Sequence, residues 1–87
     1  PPDKDSVQQA LGQVRYPGYS RDIVSFGLVK GIEVALDGKV SVGLAVTSAD
    51  PEVPKKLYAD IEAALKGGRQ VGESGGGIVE FAGAQAL

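Results

Sequence analysis

The chain has 87 residues with nine basic and eleven acidic side chains, a formal net charge of -2, and no Cys, His, Met or Trp. Without thiolate or imidazole it lacks the donors of the usual zinc, copper and iron-sulfur sites, and its interspersed charges argue against nucleic acid or an anionic membrane as the main partner. A serine hydrolase triad is also excluded, because there is no histidine to activate a serine.

A chain of this length forms one small domain and buries about 60 to 65% of its unfolded surface, which leaves room for one core and no deep cavity. Any functional site is therefore expected on the surface. No apolar run approaches the roughly 20 residues that a membrane span needs. The lack of cysteine favours the cytoplasm, and an organelle stroma or matrix also fits. Because the sequence does not begin with Met, we expect a processed product or a part of a longer protein.

The first predicted element is a short amphipathic helix. Its apolar stripe has the i, i+3, i+4, i+7 spacing of a helix face: Val7, Ala10, Leu11 and Val14. Asp5 or Ser6 is the expected N-cap. The segment Tyr16-Pro17-Gly18 is expected to end the helix, because the residue before a proline is pushed out of the α region.

Two strands joined by a hairpin come next. From Leu28 the apolar period becomes two, with Ile32 and Val34 in the first strand and an alternating run from Val40 to Val46 in the second. The Asp37-Gly38 dipeptide suggests a two-residue turn, but that register would place the apolar residues of the two strands on opposite faces. Pairing Val34 with Val40 requires a three-residue loop over 36–38. We therefore predict a type I turn with Gly38 left-handed in a bulge.

A second helix is predicted after the segment Asp50-Pro51-Glu52-Val53-Pro54. Either proline suits the first turn, and acidic side chains are favourable at the positive end of the helix dipole. The apolar stripe of this helix consists of Leu57, Ile61, Ala64 and Leu65. The segment Lys66-Gly67-Gly68 is typical of a helix end.

A last short strand is predicted over residues 78–81, after a glycine-rich, flexible connection over 72–77. The element order is then α-β-β-α-β. The simplest packing is a two-layer α+β sandwich, with both helices on one face of a three-stranded mixed sheet. The last strand is reached through a helical crossover, so we expect it to lie parallel to one hairpin strand. The whole chain, 1–87, is one domain with its core at about 5–82 and a tail or linker over 83–87.

Two segments carry a resemblance to a known family. The first, defined here as the box, is Asp22-Ile23-Val24-Ser25-Phe26-Gly27-Leu28-Val29, and the second is the turn Thr47-Ser48-Ala49-Asp50-Pro51. With the helix before the box and the hairpin between the two segments, this arrangement resembles the metal-sulfur cluster assembly factor domain, also called PaaD-like. That domain occurs in small iron-sulfur assembly proteins and as the N-terminal module of Mrp-type P-loop ATPases. The resemblance covers about residues 7–81.

The resemblance implies a non-enzymatic accessory domain in iron-sulfur cluster assembly or transfer. Such a domain would dock a carrier ATPase, in cis or in trans, or a client apoprotein, through the box and the start of the second helix. The cluster and the nucleotide would reside on the partner or on a downstream domain. The residues expected to bind the partner are Asp22, Ser25, Gly27, Thr47, Ser48 and Asp50. A homodimer through a sheet edge is a further expectation, because an open sheet has two edges.

The sequence departs from the family pattern at two places. The family often has Cys before the proline of the turn, where this chain has Asp50, and often has Asp-Pro-Glu before the box, where this chain has Tyr16-Pro17-Gly18. A hard carboxylate is a poor substitute for a thiolate on a soft iron-sulfur centre. We therefore expect that this domain binds no cluster and no other cofactor by itself.

Several of these residues also have a structural explanation. Asp22 is expected to cap exposed backbone amides near the box. Gly27 is expected to serve a backbone conformation or a close approach, and Thr47, Ser48 and Asp50 to cap the second helix. The large apolar residues of the box are expected in the core, because a small domain needs every such side chain there: Ile23, Val24, Phe26 and Leu28.

Two other functions compete with the accessory role. One is an interaction or regulatory module that has the same fold and no cluster-related work, which the missing cysteine favours. The other is a small hydrolase or ligand-binding domain that uses carboxylates. The sequence argues against the latter, because Asp60 and Glu62 lie two apart on the second helix and do not face each other.

Overall fold

The computed structural model describes residues 2–85 and contains two helices and four strands. In chain order they are α1 (Lys4–Leu11), β1 (Val29–Val34), β2 (Val40–Leu44), α2 (Glu52–Ala64), β3 (Arg69–Ser74) and β4 (Ile78–Ala82). Neither helix in this part of the chain is long and apolar enough to cross a membrane.

The four strands form one sheet in the order β1-β2-β4-β3, and every neighbouring pair is antiparallel. The predicted fold was wrong in two respects, because the sheet is four-stranded rather than three-stranded and antiparallel rather than mixed. The element order is α-β-β-α-β-β. β2 and β3 run in the same direction across the α2 crossover, but β4 lies between them. Every ladder of the sheet is therefore antiparallel.

The strand missing from the prediction is β3, which lies at one edge of the sheet. Gln70 is paired with Phe81 and Glu73 with Val79. Residues directly opposite each other share a face of the sheet, so Gln70 and Glu73 occupy the positions nearest the helices. The Tyr58 hydroxyl of α2 donates to Glu73 Oε1 at 2.9 Å. Burial, together with this hydrogen bond, raises the pKa of Tyr58 above its usual value. An edge strand held by polar contacts has no alternating apolar pattern to predict it.

One hydrophobic core lies between the helices and one face of the sheet. Val7 and Leu11 of α1 and Leu57 and Ile61 of α2 are fully buried in it. Leu44 of β2 is also buried in this core. The other buried sheet residues are opposite one another in neighbouring strands, which places them on a single face: Ile32, Val40, Val42, Val79 and Phe81.

The hairpin between β1 and β2 has the predicted loop. Val34 pairs with Val40 and Ile32 with Val42. The Gly38 amide donates to the Ala35 carbonyl at 2.9 Å, and the Ala35 amide donates to the Lys39 carbonyl at 2.8 Å. Gly38 has φ of 89°. These bonds define a three-residue loop over 36–38 with a left-handed glycine at its end, which confirms the prediction.

Both ends of α1 differ from the prediction. α1 begins two to three residues earlier than expected, because the N-cap is Asp3, whose Oδ1 accepts the Ser6 amide at 2.7 Å. Asp5 and Ser6, the predicted caps, lie inside the first turn. The hydrogen bonds from Ser6, led by its backbone amide, hold the pKa of Asp3 below its usual value. α1 also ends earlier, at Leu11 with Gly12 as its C-cap, rather than at the proline segment.

The glycine-rich segment and the chain end differ from a simple flexible connection and tail. Gly72 belongs to β3, and residues 75–77 form the turn between β3 and β4. After β4, the Gln85 amide donates to the Lys66 carbonyl at 3.1 Å, and Ala84 packs against the core. The last two residues of the predicted tail, 86–87, lie outside the described residues.

Candidate functional site

The box forms a compact turn that is tied to the rest of the fold at both ends. The Ile23 amide donates to the Val14 carbonyl at 2.9 Å, and the Ala45 amide donates to the Leu28 carbonyl at 2.9 Å. Within the turn, the Leu28 amide donates to the Ile23 carbonyl at 3.0 Å. The box therefore joins the end of the α1 segment to the start of β1 with its backbone hydrogen bonds satisfied.

Asp22 organises this turn, as the structural explanation predicts. Its Oδ2 accepts the amides of Val24 and Ser25, both at 3.0 Å, and its carbonyl accepts the Phe26 amide at 2.9 Å. Hydrogen bonding from Ser25, chiefly from its backbone amide, lowers the pKa of Asp22. The carboxylate is therefore held in its charged form as a cap for local amides.

Gly27 closes the turn in a conformation that favours glycine. Its φ is 84°, and a Cβ built there would have no neighbour within 4 Å. Of the two explanations considered for this residue, the structure supports backbone conformation and not close approach. Ser25 is exposed beside it, and its carbonyl accepts Arg21 Nη2 at 2.8 Å.

The burial of the box residues divides them into two groups. Ile23 is fully buried, and Val24 and Leu28 are half-buried against the core, as predicted. The prediction for Phe26 was wrong, because 37% of this side chain is exposed. Its ring stacks on Tyr16, which is half-buried against the core. The turn is thus anchored in the core by Ile23, whereas Phe26 is exposed to solvent.

We define the ring cluster as Tyr16, Tyr19 and Phe26. The Phe26 ring is stacked on Tyr16 with a centroid distance of 5.1 Å, and Tyr19 lies edge-on to Phe26 at 5.2 Å and to Tyr16 at 5.5 Å. These are preferred geometries for aromatic pairs. Tyr19 is 59% exposed. Tyr16 is half-buried against the core, so Tyr19 and Phe26 provide the exposed apolar surface of the cluster.

Two arginines make contacts in the segment that carries the ring cluster. The Arg21 guanidinium carbon lies 5.9 Å from the centroid of the Phe26 ring, within range of a cation-π interaction. Arg15 Nη1 donates to the Ser20 carbonyl at 2.9 Å. Arg15 and Asp22 also form an isolated antiparallel bridge that brings the two ends of the loop together. The loop that carries Tyr19 is thus closed by backbone and arginine contacts.

The turn at the start of α2 contains the other predicted site residues. Asp50 Oδ1 accepts the Glu52 amide at 2.9 Å, and the Asp50 carbonyl accepts the Val53 amide at 3.1 Å. Ser48 Oγ accepts the Asp50 amide at 3.1 Å. Thr47 is exposed just before them. Asp50 and Ser48 therefore order the turn that leads into the helix. The prediction that Thr47, Ser48 and Asp50 cap the helix was wrong, because the N-cap of α2 is Pro51 and no side chain forms a cap hydrogen bond.

The sheet places the box and the α2 start at the same end. β1 and β2 are antiparallel, and Val29 at the start of β1 pairs with Leu44 at the end of β2. The box precedes Val29, and the turn over 47–50 follows Leu44. The six predicted partner-binding residues therefore belong to two loops at one end of the sheet, which we call the box end. The loop over 36–38 marks the opposite end.

Sequence reasoning missed Tyr16, Tyr19 and Arg21. The chain has only three tyrosines and two phenylalanines. Three of these five aromatic residues fall between positions 16 and 26, beside two arginines. This local concentration was the available signal, because Arg and aromatic side chains are enriched at binding surfaces.

The donor atoms of the chain do not suit an iron-sulfur cluster. The sequence contains neither Cys nor His. Within residues 2–85, no group of three or more carboxylates is arranged to hold a metal ion. The carboxylate of Asp50, at the position where the related domain often has Cys, is already occupied as an acceptor for the Glu52 amide.

Comparison with protein families gives one match. The family described as "Iron-sulfur cluster assembly protein" matches residues 4–73, which run from α1 through most of β3 and include the box and the turn before α2. No curated protein and no solved structure matches the chain. The matched segment makes up most of the 87 residues.

Proposed function

The chain belongs to the iron-sulfur cluster assembly protein family, as its resemblance to the metal-sulfur cluster assembly factor domain predicts, and from this membership we propose that it is a docking domain. Its partner is a cluster-carrying ATPase, in cis or in trans, or a client apoprotein. The domain acts by holding that partner at the box end and catalyses no reaction itself. Members of this family are assembly factors, which agrees with a role in binding.

The observation that carries the proposal is the exposure of the ring cluster. A small domain that uses its large apolar side chains for folding would bury Phe26. Instead Phe26 and Tyr19 lie on the surface beside Arg21, and the rings contact each other. Aromatic and arginine side chains carry much of the binding energy in protein interfaces. A contiguous group of them at the box end supports docking there.

The hydrogen bonds of the box support the same role. Asp22 fixes the backbone around Phe26 through two amides, and Arg21 fixes the carbonyl of Ser25. A surface whose backbone is ordered before binding loses less conformational entropy when the partner arrives. Asp22, Ser25 and Gly27 would then act mainly as positioning residues for the ring cluster.

The α2 start contributes a polar border to this surface. Thr47, Ser48 and Asp50 are exposed at the box end. Interfaces commonly combine a central apolar group with a polar rim. In the proposed complex, the rings form the centre and these residues form part of the rim.

In the proposed complex, the iron-sulfur cluster is bound by the partner and not by this domain. The side chains of this domain offer hard oxygen donors, whereas iron-sulfur centres prefer thiolate. No step of cluster transfer is therefore assigned to residues of this chain. Anaerobic reconstitution with iron and sulfide should leave the purified chain without stoichiometric iron, and stoichiometric iron with a cluster spectrum would contradict the cargo role.

The docking role can be tested by anaerobic capture from a lysate of the source cells. Immobilised wild-type chain should retain a P-loop carrier or an iron-sulfur client, identified by mass spectrometry together with iron content. The variant Tyr19→Ser/Phe26→Ser should lose that protein, because it removes two rings of the cluster while leaving the buried Ile23 in place.

The matched control is Leu36→Ser, which removes a fully exposed apolar side chain from the opposite end of the sheet. This variant should capture the same protein as the wild type. The proposal fails if the wild type retains no iron-sulfur protein above background, or if the two variants lose it equally.

A further inference from the structure

The two edge strands of the sheet are attached to the rest of the domain in different ways. β1 contributes the buried Ile32 to the core, and its Val29 and Val34 are half-buried against that core. None of the six residues of β3 is buried, and its one hydrophobic residue, Val71, is 47% exposed. β3 is therefore held mainly by hydrogen bonds, whereas β1 is also held by apolar packing.

The chain is fixed to other elements on both sides of β3. Before β3, the Lys66 carbonyl accepts the Gln85 amide at 3.1 Å, which ties the end of α2 to the segment after β4. After β3, the Gly77 carbonyl accepts the Leu44 amide at 2.9 Å, which ties the residue before β4 to β2. Between these two contacts lie residues 67–76, in which two glycines flank β3 on each side. The segment that carries β3 is therefore bounded by two anchor points and flanked by flexible residues.

Two side chains of α2 contact β3. The Tyr58 hydroxyl donates to Glu73 Oε1 at 2.9 Å, and the Glu62 carboxylate accepts the backbone amide of Gln70. Tyr58 is also half-buried against the core, so its position does not depend on β3. Glu73 and Gln70 are exposed, so water replaces the partner when either contact breaks. These hydrogen bonds therefore stabilise β3 in the sheet, but breaking them leaves no buried polar group on β3 unpaired.

The amides of β4 are divided between its two neighbouring strands. Residues of an antiparallel strand form backbone bonds alternately with one neighbour and with the other. Because Gly77 bonds to β2, Val79 and Phe81 also bond to β2, whereas Ile78 and Glu80 bond to β3. We call the amides of Val79 and Phe81 the β2-facing amides. Displacement of β3 would expose the amides of Ile78 and Glu80 while the β2-facing amides stay bonded.

We propose that β3 opens from the sheet as a separate unit between the contacts of Lys66 and Gly77, while the other three strands and both helices remain folded. A strand with few buried apolar contacts and exposed backbone hydrogen bonds opens at a lower free energy than the core. The contacts of Tyr58 and Glu62 with β3 are present only in the closed form and set how often the strand opens. No residue of the ring cluster takes part in this opening.

Hydrogen exchange of backbone amides in the ¹⁵N-labelled full chain, followed by NMR and corrected for the intrinsic rate of each amide, measures this opening. The Glu80 amide should exchange faster than the β2-facing amides of the same strand by a factor of about ten or more. It should exceed the rate of the Ser41 amide by a similar factor, because Ser41 pairs with the other edge strand, β1, which is anchored by the buried Ile32.

Low concentrations of urea provide a second measure. Exchange that requires global unfolding accelerates with urea in proportion to the surface that unfolding exposes, so the β2-facing amides should respond more strongly than Glu80. The proposal is wrong if Glu80 and the β2-facing amides have equal protection and an equal urea dependence, because all of β4 would then be exposed in a single global step.

The variant Tyr58→Phe tests the contact with α2. It keeps the ring but removes the hydroxyl that donates to Glu73, so the exchange rate of the Glu80 amide should rise about fivefold. The control Lys55→Gln, which alters an exposed ion pair elsewhere on α2, should leave that rate unchanged. An unchanged rate in Tyr58→Phe would contradict the proposal, because α2 would then not hold β3 closed.

The variant Ile32→Val separates local opening from global unfolding. It shortens a buried side chain that the closed and the open form both contain. The exchange of the β2-facing amides should therefore rise about fivefold, whereas that of Glu80 should not change. An equal rise at Glu80 would overturn the proposal, because this amide would then exchange only through global unfolding. Both variants leave the ring cluster in place, so the opening of β3 and the docking role can fail separately.

Discussion

The two ends of the sheet expose apolar side chains in different ways. At the hairpin end, Leu36 is fully exposed in a three-residue loop. At the box end, Phe26 and Tyr19 are exposed together, in contact with Tyr16 and beside Arg21. Single exposed hydrophobic residues are common on proteins, whereas contiguous groups mark interaction surfaces. The arrangement of exposed apolar residues, more than their presence, identifies the box end as the candidate site.

The two ends also differ in how their loops are fixed. The hairpin loop relies on local backbone bonds and on Asp37, whose Oδ1 accepts the Lys39 amide at 3.0 Å. The box has comparable local bonds around Asp22, but it also inserts the fully buried Ile23 into the core. The loop that carries the ring cluster is therefore anchored by packing as well as by hydrogen bonds.

The largest expected loss of stability comes from truncating Ile23, the buried side chain that anchors the box. Ile23→Ala should lower the free energy of unfolding by about 2–5 kcal/mol, because it leaves a cavity at a fully buried site. Leu36→Ala at the hairpin end should change it by less than about 0.5 kcal/mol. Urea unfolding measures both values. Similar losses in the two variants would show that the box is no better anchored than the hairpin.

An intermediate effect is expected at the left-handed glycines. Gly27 has φ of 84° and Gly38 has φ of 89°, and both have open space where a Cβ would lie. Gly27→Ala and Gly38→Ala should each cost about 1–2 kcal/mol of stability, because an L-residue is strained in this region. Thermal unfolding checks the stability. Capture of the partner should fall for Gly27→Ala alone, and an equal fall for Gly38→Ala would remove the distinction between the ends.

The smallest expected effect is the pH dependence contributed by Asp22. Its pKa is lowered from 3.8 by hydrogen bonds from Ser25, the largest being that of the backbone amide. A carboxyl with a lowered folded pKa contributes stability that is present above the unfolded pKa and is lost as the pH falls through the folded pKa. The melting temperature should therefore fall as the pH drops below about 3.8.

The variant Asp22→Asn should reduce this acid sensitivity, measured as the difference in melting temperature between neutral and acidic buffer. Asp3, whose pKa is also lowered, provides a comparison at the start of α1. Asp3→Asn should reduce the sensitivity too, and the double variant should reduce it further. An unchanged pH dependence in Asp22→Asn would mean that the carboxylate does not stabilise the folded box.

The β1–β2 hairpin could be predicted because its determinants are local. The pairing of Val34 with Val40 follows from the requirement that the apolar residues of the two strands share a face. The loop over 36–38 follows from that pairing and from Gly38. Local periodicity and turn chemistry were sufficient for this hairpin, and the family resemblance was carried by the sequence motifs that flank it.

β3 could not be predicted because its determinants are tertiary. Its positions nearest the helices are polar, and its hydrogen bonds to α2 join the Gln70 backbone amide to the Glu62 carboxylate and the Tyr58 hydroxyl to Glu73. Neither contact leaves a periodic signal in the sequence. Without β3, the strand after the α2 crossover was taken to be the last strand, which was therefore expected to lie parallel to a hairpin strand in a mixed sheet.

The candidate site was predicted only in part for a related reason. The role of Asp22 as a cap for local amides follows from side-chain chemistry and is present in the structure, whereas the N-cap of α2 is Pro51 and not one of the predicted residues. The exposure of Phe26 depends on the three-dimensional shape of the turn, which sets the direction of this side chain. The general preference for burying large apolar residues gave the wrong answer there. Its contacts with Tyr16 and Tyr19 span a loop whose shape the sequence does not define.

The most direct test of the docking role is to map the bound partner on the domain. The protein captured by the wild-type chain is purified and added to ¹⁵N-labelled domain, and amide signals are followed by NMR. Docking at the box end predicts shifts or line broadening at residues 16–28 and 47–50, with residues 36–38 unchanged. Perturbation centred on residues 36–38, with the ring cluster unaffected, would contradict it.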